Sequence, residues 1–130
     1  MSKAQIEELE SGKYLSFATL KKSGDWVATP VWFAPLDGHY YLFSAGDAGK
    51  VKRLRNFSDA RIASCTVTGT LTGEWMDTQA VLLETPEGEA TALRALHRKY
   101  GLTMKLTDLL SCLTGKKKNR AYIRVDIPDG

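Results

Sequence analysis

A chain of 130 residues, 43% hydrophobic and 25% charged, has room for one domain built around one core. Its formal net charge of +3 calls for no nucleic-acid or membrane partner, although it would accept an anionic ligand. Met1 to Lys13 carries Glu7, Glu8 and Glu10 and no apolar run, so neither a signal peptide nor a spanning helix is read there, and a cytoplasmic location is expected. Cys65 in a predicted strand and Cys112 in a predicted helix have no metal-ligand spacing, and both are expected to be free thiols.

In chain order, Ile6 and Leu9 between acidic residues predict a short amphipathic helix ended by Gly12. Tyr14 to Leu20 is β-branched and aromatic enough for a strand, and Lys21 to Asp25 reads as a hairpin turn with Gly24 at a positive φ. A second strand follows from Trp26 to about Ala34. Val27, Thr29, Val31 and Phe33 form one face and Trp26, Ala28, Pro30 and Trp32 the other, so both faces carry apolar mass and both must be covered. Pro30 cannot donate to a ladder, which makes this strand an edge or a bulged one and leaves neighbouring amides free for a ligand edge. Pro35 to Gly38 reads as the next turn, and His39 to Ser44 as the third strand.

The most informative stretch runs from Leu42 to Arg55. A strand ending at Ser44, the small residues Ala45 to Gly49, and Val51, Leu54 and Phe57 at near-helical spacing describe a strand feeding a helix. The first turn of such a helix has free N–H groups where the dipole favours an anion, and Lys50 and Arg53 lie side by side three residues apart. This pattern fits a phosphate cradle, and it equally fits an amphipathic surface helix with a basic outer face.

Ser58 to Ala60 reads as a break, Arg61 to Thr68 as a fourth strand, and Thr70 to Glu84 as a further strand region interrupted at Gly73 to Asp77, with Trp75 at a bulge or strand end. Pro86 to Tyr100 is a predicted helix carrying Leu93, Leu96 and Tyr100 on one stripe, with Gly101 as its stop. A shorter helix is predicted over about Thr107 to Leu113, then a solvated loop at Lys116 to Lys118, then a last strand from Ala121 to Ile127. Five or six strands in meander order with late helices predict a mainly β, α+β fold, a small antiparallel barrel with flanking helices.

Pro30-Val31-Trp32-Phe33, Gly49 to Asn56, Gly73-Glu74-Trp75, Ala80 to Leu83 and Lys99-Tyr100-Gly101 together resemble the pyridoxamine 5′-phosphate oxidase-like split-barrel proteins, in order and spacing across most of the chain. Within that superfamily the sequence is most similar to short members grouped with deazaflavin (coenzyme F420) oxidoreductases, whose relatives bind FMN in the same place. The resemblance implies a split β-barrel and a homodimer with cofactor sites at the subunit interface. It also implies hydride transfer to a small organic substrate by F420 or FMN. By the same resemblance Lys50 and Arg53 fall at phosphate-binding positions, and Ser44 and Ala45 at the strand end that meets the phosphate or polyol. Pro30, Val31 and Trp32 fall along the ring edge, and Trp75 at an aromatic position near the interface. Ala48 departs from the pattern, standing where relatives often carry a hydroxyl residue, so one phosphate hydrogen bond would be missing or come from backbone.

No Gly-x-Ser-x-Gly elbow, His-Glu-x-x-His or Cys-x-x-Cys is present, and no catalytic residue or metal ligand is assigned. His39 and His97 read as partly exposed polar residues, and Tyr41 is a minor candidate beside the junction. Two other readings remain: a split-barrel protein that binds flavin or haem without turnover, and a small barrel that binds single-stranded nucleic acid. The modest charge and the lack of an RNA-binding signature count against the second.

Overall fold

A computed structural model describes residues 3–45, 48–101 and 120–128. The elements are α1 (Lys3–Ser11), β1 (Tyr14–Leu20), β2 (Trp26–Leu36), β3 (His39–Ala45), α2 (Gly49–Asn56), β4 (Asp59–Ser64), β5 (Met76–Leu83), α3 (Pro86–Tyr100) and β6 (Arg120–Asp126). The six antiparallel strands close a barrel in the order β1-β2-β3-β6-β5-β4. The expected barrel with flanking helices is therefore present, but the strands do not follow one meander. Two three-stranded meanders are joined instead, β3 pairing with β6 and β1 with β4. The reason is that α2 separates β3 from β4, so that β4 enters beside β1 rather than beside β3. The predicted helix over Thr107 to Leu113, Cys112 and the Lys116 to Lys118 loop lie outside the described residues.

Local chemistry explains where the strands stop. At the first hairpin the Lys21 N–H donates to the Asp25 carbonyl at 2.8 Å, the Gly24 N–H donates to the Lys21 carbonyl at 2.9 Å, and Gly24 sits at φ 93°. Strand β2 runs two residues further than expected, to Leu36, because Asp37 (φ 50°) and Gly38 (φ 83°) suffice for the reversal and Pro35 pairs opposite Tyr40. Strand β4 starts at Asp59 and ends at Ser64 instead of running from Arg61 to Thr68. Beyond it the Thr66 N–H donates to the Thr70 carbonyl at 2.9 Å and the Thr70 N–H donates to Thr66 Oγ1 at 3.2 Å. The alternating threonines are thus a hydroxyl-bonded turn rather than a strand. Trp75 stands just before β5, at a strand end. Helix α3 has the expected bounds, with Thr85 accepting from the Gly88 N–H at 3.1 Å and Gly101 (φ 55°) closing it.

The barrel interior is formed by alternate residues, among them Leu15, Phe17, Phe33, Leu42, Ile62, Ile123 and Val125, all fully buried, and Leu9 of α1 and Leu54 of α2 join that cluster. A second cluster lies between the outer face of the barrel and α3, with Ala34, Tyr41, Ala92, Ala95, Leu96 and Tyr122 at its centre and Trp32, Phe43 and Tyr100 packed against it. One face of β2 points into the barrel, whereas the other is covered by α3 only at Trp32, Ala34 and Leu36, leaving Ala28 and Pro30 exposed where the sequence predicts cover. Its two edges differ: β2 pairs with β1 from Trp26 to Trp32, but with β3 only from Phe33 to Leu36. Pro30 therefore lies on a stretch that β3 does not pair, and the continuous register with β1 contains no bulge there.

Two buried tyrosine hydroxyls differ in their partners. Tyr40 is fully buried in the barrel, and its hydroxyl meets no partner in hydrogen-bond geometry; burial, with the nearby Glu10 carboxylate, holds its pKa far above the ordinary phenol value. The Tyr100 hydroxyl accepts from the Phe33 N–H at 2.9 Å, and the Phe33 and Lys13 carbonyls both lie 2.7 Å away to take its proton. Urea unfolding should therefore show Tyr40→Phe unchanged or stabilised by up to about 1 kcal/mol, and Tyr100→Phe destabilised by about 1–3 kcal/mol.

Candidate functional site

Where β2 parts from β3, a groove of about 430 Å³ opens between them, lined by Tyr14, Pro30, Val31, Trp32, Phe43, Ser44, Ala48 and Lys50. It exists because the β2–β3 ladder ends at Phe33 opposite Leu42, while β3 continues along β6 as far as Ala45 opposite Arg120. Trp32 and Phe43 form an aromatic wall, ring centres 6.1 Å apart and nearly perpendicular. Thr29, on the same face of β2 as Val31, has a buried hydroxyl that takes no hydrogen bond among the described residues.

At one end of the groove, α2 begins without a side-chain cap. Ala48 occupies the N-cap with extended backbone (φ −63°, ψ 150°), and the Val51 N–H returns to its carbonyl at 3.1 Å. The N–H groups of Gly49 and Lys50 have no acceptor within the helix. Arg53, one turn on, donates from Nε to Thr19 Oγ1 at 2.6 Å, Thr19 being fully buried on β1. Its guanidinium folds back over the helix start, where a Cβ on Gly49 would lie 2.6 Å from Nη1. Glycine is what permits this approach. No acidic side chain pairs with Lys50 or Arg53 among the described residues. Burial first, and the Arg53 charge second, push the Lys50 amine below the ordinary lysine range. Lys50 and Arg53, with no acidic partner among the described residues, thus lie together at the uncapped start of α2. Arg120 adds a third cation nearby, its guanidinium 4.5 Å from the centre of the Phe43 ring.

Of the residues singled out from sequence, Pro30, Val31, Trp32, Ser44 and Lys50 line this one groove, and Arg53 joins Lys50 at its end. Ala45 is the last residue of β3. Trp75 does not line the groove; it is 38% exposed ahead of β5. Tyr41 is turned under α3, His39 lies 3.6 Å from an Asp126 carboxylate oxygen, and His97 is on α3. Sequence reasoning missed Tyr14, Phe43, Thr19 and Arg120. Thr19 carried a signal, since it is a hydroxyl on the alternation that buries Leu15 and Phe17. Arg120 carried none, because only the pairing of β3 with β6 brings it over the Phe43 ring.

No protein-family model matches the sequence, and no curated protein is significantly similar to it. The likeness is in the structure. HutZ, the haem storage protein from Vibrio cholerae, superposes with a TM-score of 0.71 at 17% identity, over 98% of this chain and 91% of that one. A FAD-binding protein from Mesorhizobium loti gives 0.66 at 16% identity, over 99% and 90%. A candidate pyridoxamine 5′-phosphate oxidase from Listeria innocua gives 0.59 at 11% identity, over 96% and 90%. The chain thus shares the barrel fold of these three proteins. Among the described residues no helix is long and apolar enough to cross a membrane.

Because the folded chain disfavours protonation of Lys50, it binds fewer protons than the unfolded chain between the lowered pKa and the ordinary lysine value. Stability therefore rises with pH across that window, and the ammonium is a liability at neutral pH. Lys50→Met should stabilise the ligand-free protein slightly in thermal unfolding, by on the order of 0.5 kcal/mol after allowing for solvent screening of a half-exposed group. Ala48→Ser should supply the missing cap and stabilise the protein by about 0.5–1 kcal/mol in the same assay.

Proposed function

We propose that this protein binds a flavin-type cofactor, FMN or the deazaflavin coenzyme F420, and acts as a hydride-transferring oxidoreductase on a small organic substrate. The observation that carries the reading is the convergence of Lys50, Arg53 and the uncapped start of α2 at one end of a groove that runs along the unpaired edge of β2. The residues fit such a group. Lys50, Arg53 and the first N–H groups of α2 would hold the phosphate, with Ser44 and Ala45 at the adjacent strand end. Pro30, Val31 and Trp32 would lie along the edge of the ring, and the buried Thr29 hydroxyl is a spare polar group on that strand. When bound, the ring supplies the two-electron chemistry; the chain's part is to bind, orient and exclude water.

A homodimer completes this reading, the groove of each chain being closed by the other. Val67, Leu71, Trp75 and Val81 are the large apolar side chains left most exposed among the described residues, and a dimer contact would give them cover. The kinship in fold with a FAD-binding protein supports a flavin, while the likeness to a haem storage protein keeps non-catalytic binding as an outcome to be tested.

The test is a titration of the cofactor-free protein with FMN, with F420 and with haem at physiological salt. Saturable binding of FMN or F420 is expected, and Lys50→Ala with Arg53→Ala should weaken it by about 2–4 kcal/mol in total. Unchanged binding in a folded double variant would remove the site assignment. Binding that collapses steeply between low and physiological salt, with nucleic acid as the better ligand, would overturn the reading altogether.

A further inference from the structure

The sequence motif Lys99-Tyr100-Gly101 has no part in the groove, yet both side chains at the end of α3 are held more firmly than surface packing requires. The Tyr100 ring lies flat on the Trp32 indole, centres 4.6 Å apart and planes 14° from parallel. Trp32 in turn forms the groove wall with Phe43, whereas Tyr100 does not line the groove. The indole therefore has Tyr100 stacked on one face and Phe43 perpendicular to it.

The pose of Tyr100 is set by backbone. Strand β1 begins at Tyr14 opposite Trp32, so no β1 residue pairs with Phe33. The Tyr100 hydroxyl takes that place, accepting from the Phe33 N–H and standing 2.7 Å from the Phe33 and Lys13 carbonyls. Burial raises its pKa well above the ordinary phenol value, so the proton it donates is retained across the physiological range. Lys99 fastens the same turn, its Nζ donating to the Gly12 carbonyl at 2.9 Å and lying 3.4 Å from the centre of the Phe33 ring. Gly101 at φ 55° ends the helix at this point.

We propose that Tyr100 is a positioning residue, which fixes the plane of the Trp32 indole by stacking and thereby sets where a planar ring can lie along β2. The proposal rests on the reading of the groove as a flavin site, and it assigns Tyr100 no contact with the cofactor. It adds to that reading a residue remote in sequence, on the element that the groove itself does not include.

Two measurements separate this proposal from a merely structural role and from failure of the flavin reading. The first is FMN titration of Tyr100→Leu, Tyr100→Phe and, as a control for lost stability, Leu9→Ala in the barrel interior. Loss of the stack in Tyr100→Leu should raise the FMN dissociation constant about fivefold, while Tyr100→Phe keeps the ring and stays within about twofold of wild type despite a lower melting temperature. Leu9→Ala should melt lower without losing affinity. The second measurement needs no cofactor. In a Trp26→Phe, Trp75→Phe background Trp32 is the one tryptophan of three that remains, and its fluorescence anisotropy should fall on Tyr100→Leu and persist on Tyr100→Phe. Tyr100→Met serves in both assays if the leucine variant does not fold. Unchanged FMN affinity in the non-aromatic variant, or affinity that follows melting temperature across all variants including Leu9→Ala, overturns the proposal. If the wild-type protein takes up neither FMN nor F420, the flavin reading fails by itself; unchanged Trp32 anisotropy then overturns the positioning role and a fall sustains it.

Discussion

The structure depends on an imbalance in strand pairing. Strand β2 is eleven residues long and is paired by β1 over seven of them, but by β3 over only four. Backbone groups in a barrel wall must find partners, and a stretch that its neighbour does not pair is either covered or given to a ligand. Pro30, with no N–H to satisfy, sits in that stretch, and so do Val31 and Trp32. The turn after β4 approaches from one side, Gly69 coming close to Pro30. The groove is thus a consequence of how the barrel is wound, since β3 leaves β2 in order to follow β6.

The charge at the end of the groove follows from the same winding. Helix α2 begins where β3 ends, so its uncapped first turn is delivered to the gap between the strands. Arg53 is not a freely moving cation; the bond from Nε to a fully buried hydroxyl on β1 directs the rest of the guanidinium back over Gly49. A side chain held in this way loses little further entropy on meeting an anion. Lys50 has a lowered pKa in the same neighbourhood, because burial and the Arg53 charge both disfavour its ammonium.

Helix α3 binds the two halves of this arrangement together. Its buried face, Ala92, Ala95 and Leu96, covers the outer side of the barrel, and its last turn reaches Lys13, just before β1 begins. Burial pushes Lys99 down to about 8, Glu10 partly opposing, yet the ammonium finds a carbonyl and an aromatic face in compensation. Polar groups are placed where the ladder fails, and the same groups orient the aromatic wall of the groove.

Much of this was legible in the residues themselves. Period-two alternation located the strands, Pro86 and Gly101 bounded α3, and the small residues before Lys50 marked the strand-to-helix junction, because these signals arise from backbone geometry within a few residues. The same locality misled at Thr66 to Thr68, where alternation matched a strand and side-chain hydroxyls made a turn. Strand order was not legible, since a meander and two joined meanders have the same local pattern and differ only in which distant edges meet. For that reason sequence alone determined a basic helix start fed by one strand and, separately, a strand carrying Pro30 and Trp32. Only the tertiary structure decided that Thr19 holds Arg53, that Arg120 rests on Phe43 and that Tyr100 stacks on Trp32, because each contact joins residues whose separation along the chain carries no information about their distance in space.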